Sequence, residues 1–368
     1  MILKYLNLKK FICLIIISAL LIPNLSWANS ASSAIVMEVR TGRILYAKNI
    51  HKKLPMASTT KIMTALLAVE NSNLDEKVKI PPNAVGIEGS SIYLRSGEII
   101  TLEDLLYGLM LCSGNDAAVA IANYISGSVE EFVKLMNKRA KEIGAKNTNF
   151  MNPHGLHHKN HYTTAYDLAL ITRKALLNDE FKKIVSTKRW IANRKGYNCF
   201  YNKNKTLRQF SGGDGVKIGY TKAAGRCLVA SATRNGMQII SVVLNDYNWF
   251  EDCYNLMEES FKKYRPYKVL SKNKRVKSFT VLNGKKNKSY LAVKQDIIIP
   301  VKKEEEKKVI VVFENRKKVQ APVAKGQILG KAKVYIGDKL LATADLIATE
   351  DIRKNSFLDF IKNIFKRK

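Results

Sequence analysis

Two groups of strand-forming sequence, held apart by a long helical stretch, constrain this chain more than any other feature. Residues 34–39 and 43–47 flank Arg40-Thr41-Gly42 and read as a β-hairpin. Strands return at 215–217, 226–233 and 237–244, the last two joined by Asn235-Gly236, a strong two-residue hairpin signal. Between the two groups, apolar residues recur at helical spacing in 58–70, 102–112, 116–125, 129–143 and 164–177, and 250–264 adds a closing helix. A sheet assembled from both ends of one segment, with helices inserted between, predicts an α/β fold with an antiparallel sheet.

The chain has 368 residues, 46% of them hydrophobic, enough for two folded units at roughly 100–200 residues each. Scarce Gly and Pro exclude collagen-like and disordered classes. Lys and Arg number 62 against 31 acids, a formal charge of +31, so a polyanionic partner is expected. The N-terminus selects among polyanions. Lys4, Lys9 and Lys10 precede an apolar run at 11–22, and Ser26-Trp27-Ala28 supplies small residues for cleavage. The run is shorter than the ~20 residues that span a bilayer, so 1–28 is expected to be a signal peptide. Export removes nucleic acid as a partner and leaves wall polymer and anionic lipid. Cys112, Cys199, Cys227 and Cys253 remain after cleavage, and no disulfide is predicted among them.

Beyond Pro266 the pattern changes to short alternating strands at 278–282, 290–293, 296–301, 309–313, 331–336 and 339–344, separated by Lys-rich turns. The expected division is a catalytic domain at 29–266 and a small all-β domain at 267–349, with 302–308 a solvated turn. In the tail, 350–368, a helix would gather Phe357, Leu358, Phe360, Ile361, Ile364 and Phe365 on one arc opposite basic residues. That pattern predicts an amphipathic helix lying on an anionic membrane surface.

Three short motifs carry chemistry. Ser58-Thr59-Thr60-Lys61 precedes an apolar helix, which sets Lys61 one turn from Ser58. A serine hydroxyl needs a base within hydrogen-bond reach, and a desolvated lysine can serve. Ser113-Gly114-Asn115 puts a hydroxyl and an amide on a tight loop between apolar helices. Lys217-Ile218-Gly219-Tyr220 places a cation on a strand, with a glycine admitting close backbone approach. His154, His157, His158 and His161 form H-x-x-H-H-x-x-H, but Pro153, Gly155 and Asn160 argue for a loop, and no metal site is predicted.

In this order the motifs resemble those of the penicillin-recognising serine peptidases and β-lactamases. Residues 38–46, 97–123, 152–156, 161–170 and 225–244 look like the D-alanyl-D-alanine carboxypeptidases, the low-molecular-mass penicillin-binding proteins, and the likeness covers about 33–264 closely. It implies a β-lactamase/transpeptidase-like domain, followed by the family's β-rich domain and terminal helix. It also implies that Ser58 attacks the peptide between two D-alanines in peptidoglycan stem peptides, with Lys61 as base and Ser113 as proton relay. Asn115, Lys217, Gly219 and Tyr220 would bind substrate, with the N–H groups of Ser58 and Tyr220 as oxyanion hole. β-Lactams would be covalent inhibitors, no cofactor would be needed, and the protein would work at the extracytoplasmic face of the membrane. Position 218 departs from the family pattern, since Ile stands where Thr is usual. A lost bond to the substrate carboxylate should cost about 1.5–3 kcal/mol. The alternatives are a D,D-endopeptidase, a β-lactamase or a non-catalytic wall-peptide-binding protein. A class A lactamase is disfavoured because no Glu-x-x-x-Asn lies between Asn115 and Lys217.

Overall fold

The computed structural model describes residues 29–355. Its central sheet is antiparallel throughout and drawn from both ends of the segment, as the strand pattern requires. The strands are β1 (Ser33–Glu38), β2 (Ile44–Lys48), β3 (Gly213–Thr221), β4 (Gly225–Arg234) and β5 (Met237–Leu244), in the order β2-β1-β5-β4-β3. Asn235 and Gly236, both at positive φ, make the tight turn between β4 and β5.

The central strands are apolar on both faces because both are covered. On β1, Ile35 and Met37 enter the core shared with the inserted helices, whereas Ala34 and Val36 face a second core. The insertion supplies α1 (Lys61–Asn71), α2 (Leu102–Tyr107), α3 (Asn115–Ser126), α4 (Val129–Ile143), α5 (Ala165–Leu176) and α6 (Asp179–Ser186). The closing helix α7 (Trp249–Lys263) covers the opposite face through Cys253, Leu256 and Met257. Helix α6 was not anticipated from the sequence. It is short, and its buried face rests on only Phe181, Ile184 and Val185.

The C-terminal part is all-β with its own core around Phe279, Leu291, Ile299, Val334 and Leu346. Arg265–Leu270 pairs with Ile297–Val301, and six further strands form one sheet. The first of these strands begins at Arg265, two residues before the expected boundary. The expected solvated turn at 302–308 is a short 3-10 helix, Lys303–Lys308, with no buried residue, and it also carries a structural contact. Arg43, at the start of β2, donates to Pro300 O at 2.7 Å and pairs with Glu305 at 2.5 Å while lying over the Tyr264 ring. These contacts tie the β-rich part to the central sheet.

The expected tail helix is corrected at its start. Residues 351–355 run extended, because Ile352 is buried in the β-core and exchanges two backbone hydrogen bonds with Val323. The remainder of the predicted helix, and the predicted signal peptide, lie outside the described residues. No helix among the described residues is long and apolar enough to cross a membrane.

Candidate active site

The nucleophile candidate sits on a tight turn rather than in an α-helix. Residues Ala57–Thr60 form a 3-10 turn, and α1 begins only at Lys61. The turn is entered through Ala57 at φ 48°, a left-handed conformation that costs a non-glycine residue about 1–2 kcal/mol. Its neighbour Gly155 explains part of the holding force. A side chain there would meet the Ala57 carbonyl oxygen at 1.9 Å, so only glycine lets the loop close on the turn.

Lys61 is fully buried, and its Nζ meets three oxygens: Ser58 Oγ at 3.1 Å, Asn115 Oδ1 at 2.6 Å and His154 O at 2.7 Å. Burial, reinforced by the charge of Lys217, pushes the Lys61 ammonium well below its ordinary value, and Asp116 pulls weakly the other way. Ser58, Lys61 and Asn115, the residues singled out in the sequence, meet at this amine. Sequence reasoning missed His154, because the contact uses a backbone carbonyl and leaves no side-chain signature.

The Ser113 corner is built by a change of helical pitch. After α2, residues Gly108–Cys112 form a π-helical turn, and Ser113 then takes φ 66° before α3 opens at Asn115. The Asn115 amide N–H donates to Ser90 O at 2.7 Å, and its side-chain NH2 donates to Glu88 O. Buried Asp116 accepts the N–H groups of Ile92 and Leu94 and the Ser91 hydroxyl. The loop at 88–94 is thereby fastened to the Ser113–Asn115 corner.

Strand β3 forms the other wall. Lys217 and Gly219 pair with Val229 and Cys227 on the face toward the helices, and Ile218 pairs with Leu228 on the face toward α7. A side chain at Gly219 would lie 2.7 Å from the Ser58 backbone nitrogen, so glycine keeps strand and nucleophile in contact. Burial, then the charge of Lys203, lowers Lys217 to about 7, and its Nζ donates to Ile218 O at 3.0 Å. Lys217 therefore sits within electrostatic range of Lys61 without a direct bond to Ser58. Tyr220 is 62% exposed at the end of this wall. Ile218 packs against the α7-side core, where its side chain is half-buried among apolar groups.

The histidines lie on a loop and act as braces. His161 Nδ1 accepts from the Met151 N–H at 3.0 Å, which leaves Nε2 to donate to Thr60 Oγ1 at 2.8 Å. Thr60 in turn donates to Ala57 O at 2.8 Å, so the chain of bonds ends on the residue before Ser58. His154 Nδ1 accepts from the Leu156 N–H at 3.1 Å. The four described cysteines are free thiols, and Cys112, Cys227 and Cys253 are buried.

A serine and a buried amine in contact, flanked by a loop hydroxyl and a strand lysine on this sheet, define a serine hydrolase of the penicillin-binding/transpeptidase fold. The D-alanyl-D-alanine carboxypeptidase family matches residues 23–248, and the C-terminal domain of penicillin-binding protein 5 matches 264–354. The chain belongs to the D-alanyl-D-alanine carboxypeptidase family. It is 37% identical over 346 residues to the D-alanyl-D-alanine carboxypeptidase DacF of Bacillus subtilis, covering 91% of this chain and 89% of that protein. It is 34% identical to the D-alanyl-D-alanine carboxypeptidase DacA of Haemophilus influenzae, covering 88% and 85%. The crystal structure of penicillin binding protein 5 from Haemophilus influenzae superposes with a TM-score of 0.70 at 33% identity, covering 89% of this chain and 98% of that one.

The braces predict an acid sensitivity. Burial lowers His161 from 6.5 to about 4 and His154 from 6.5 to about 3, in each case with help from neighbouring cationic groups. Between those values and 6.5 the unfolded chain binds protons that the folded chain does not, so stability falls as pH drops through that window. His161 alone accounts for about 2–4 kcal/mol by pH 4. Denaturant titrations at several pH values should therefore show a shallower acid dependence in His161→Gln than in the unaltered protein. Parallel curves would contradict the assignment.

Proposed function

We propose that this protein is an exported serine carboxypeptidase that removes the terminal D-alanine from peptidoglycan stem peptides. The observation that carries the mechanism is the surrounding of Lys61 Nζ. Asn115 Oδ1 and His154 O can only accept hydrogen bonds, and both lie closer than Ser58 Oγ. A neutral amine has two N–H groups and one lone pair. Once both N–H groups are committed to those oxygens, the lone pair faces the serine. Burial supplies the neutral form.

In this reading the Ser58 proton moves to Lys61 as Oγ attacks the carbonyl carbon between the two D-alanines. The N–H groups of Ser58 and Tyr220 hold the developing oxyanion, a contribution of ~3–4 kcal/mol per donor in comparable sites. Ser113 passes a proton to the departing amine, and water then releases the acyl group from Ser58. Asn115 binds the substrate peptide, and Lys217 receives its carboxylate. The catalytic part is assigned to 29–266 and the β-rich part to 267–349, with 1–28 removed on export.

The decisive experiment treats the protein with labelled penicillin and, separately, with a defined pentapeptide. Mass spectrometry should find a stable adduct on Ser58 and loss of one alanine from the peptide. No adduct would support a binding protein, and rapid penicillin turnover would support a lactamase. Lys61→Arg keeps a positive charge that cannot be shed, so adduct formation should slow by about 10²–10⁴-fold at any accessible pH.

Position 218 offers a graded test. Ile218 faces the α7-side core, on the opposite side of β3 from Lys217 and Gly219, so Ile218→Thr should leave kcat/KM for D-alanine release within about threefold of the unaltered value. A rise of about tenfold or more would show that a hydroxyl at 218 reaches the substrate carboxylate.

The tail is assigned to an anionic membrane surface on its sequence pattern. Because Ile352 belongs to the β-core, the informative truncation follows Asn355. Removing 356–368 should release the protein from membrane fractions with its peptidase activity intact, and continued sedimentation with membranes would refute the anchor.

A further inference from the structure

Two tyrosines beside the Ser113 corner stand in solvent and have no part in the chemistry above. Tyr93 is 68% exposed and Tyr197 43%, with ring centroids 5.5 Å apart in an edge-to-face arrangement. Tyr93 also holds φ 58°, a left-handed backbone that a bulky residue adopts only when its surroundings impose it.

Arg194 imposes it. Its side chain is 2% exposed and donates to the carbonyl oxygens of Ile92, Tyr93 and Tyr197, with its remaining donors on Glu98. One buried guanidinium therefore fixes the backbones of both exposed rings. From the other side, Asp116 accepts the N–H groups that flank Tyr93, those of Ile92 and Leu94. A buried arginine and a buried aspartate are costly to desolvate, and here both serve to present aromatic surface to water. The pair is continuous with the catalytic wall. The Tyr197 hydroxyl lies 3.6 Å from Cys112 Sγ, next to Ser113, and the loop bearing Tyr93 is bonded to Asn115 through Ser90.

We propose that Tyr93 and Tyr197 form a subsite for the residue preceding the two D-alanines, accepting a long aliphatic side chain against their rings. The proposal rests on the carboxypeptidase reading. In that reading Lys217 takes the carboxyl terminus and Asn115 the peptide, so the upstream chain leaves past the 88–94 loop that Asn115 holds. Rings carried on backbones fixed before substrate arrives lose less conformational entropy on binding, which is what a specificity surface requires.

The test compares release of D-alanine from diacetyl-L-lysyl-D-alanyl-D-alanine and from acetylglycyl-D-alanyl-D-alanine, neither carrying a side-chain charge. Tyr93→Asn removes the ring but suits left-handed backbone, so the loop is kept; Tyr93→Phe keeps the ring. The lysyl-to-glycyl ratio of kcat/KM should fall about three- to tenfold in Tyr93→Asn, mainly through KM, and stay near the unaltered value in Tyr93→Phe. An unchanged ratio in Tyr93→Asn, or an equal loss on both peptides, would overturn the subsite while leaving the carboxypeptidase reading standing. Failure of the unaltered protein to release D-alanine from either peptide would overturn both.

Discussion

The structure around Ser58 depends on the burial of one amine. Taking a lysine out of water favours its neutral form, and Lys61 is fully enclosed. An enclosed amine still needs partners for its N–H groups, and no single segment provides them. Asn115 comes from the start of α3, and the His154 carbonyl from the loop that follows α4. The inserted helices must therefore pack to full density around α1 before the site exists. The many buried alanines of α1 and α3, among them Ala65, Ala68, Ala117 and Ala118, permit that close approach. Catalytic competence and core packing are here the same requirement.

The two corners of the site share a backbone device. Ala57 precedes Ser58, the proposed nucleophile, and Ser113 carries the proposed relay hydroxyl; both occupy left-handed conformations, at φ 48° and 66°. Such residues cost about 1–3 kcal/mol each and persist only when their surroundings over-determine them. For Ala57 that surrounding is the chain from Met151 through His161 and Thr60, together with the closely packed Gly155. For Ser113 it is the π-helical turn before it and the Asp116 bonds after it. Strain is placed where side chains must point inward from a turn, and the helical core offsets it.

Most of the architecture was legible because the periodicities were long and regular. The helix at 129–143 and the hairpin about Asn235-Gly236 agree with the sequence reading, since each is fixed by local chemistry. Motif order singled out Ser58, Lys61, Ser113, Asn115 and Lys217 as the candidate set, although spacing alone could not show that Lys61 reaches Asn115. What stayed hidden was carried by backbone atoms or by distant partners. His154 contributes a carbonyl, Arg194 binds the carbonyls of Ile92 and Tyr93 from far along the chain, and Glu305 meets Arg43 from another part of it. The tail was misread at its start because a helical arc drawn from 351 ignored that Ile352 completes a β-core. Amphipathic spacing cannot reveal a competing partner already present elsewhere in the fold.

The two buried lysines divide recognition from reactivity. The charge of Lys217 lowers the affinity of Lys61 for a proton, while burial and the charge of Lys203 lower Lys217 itself to about 7. A substrate carboxylate arriving beside Lys217 favours its charged form, by the ordinary attraction of opposite charges in a poorly screened site. The carboxylate's own negative charge offsets that of Lys217 as felt at Lys61, so burial is what keeps Lys61 neutral once the peptide is bound. In the proposed mechanism the free carboxyl terminus thus orients the peptide through Lys217, and the base does not depend on it. A peptide whose terminus is blocked would lose that charged contact. In that mechanism, preference for a terminal over an internal peptide bond rests on the charged contact with Lys217.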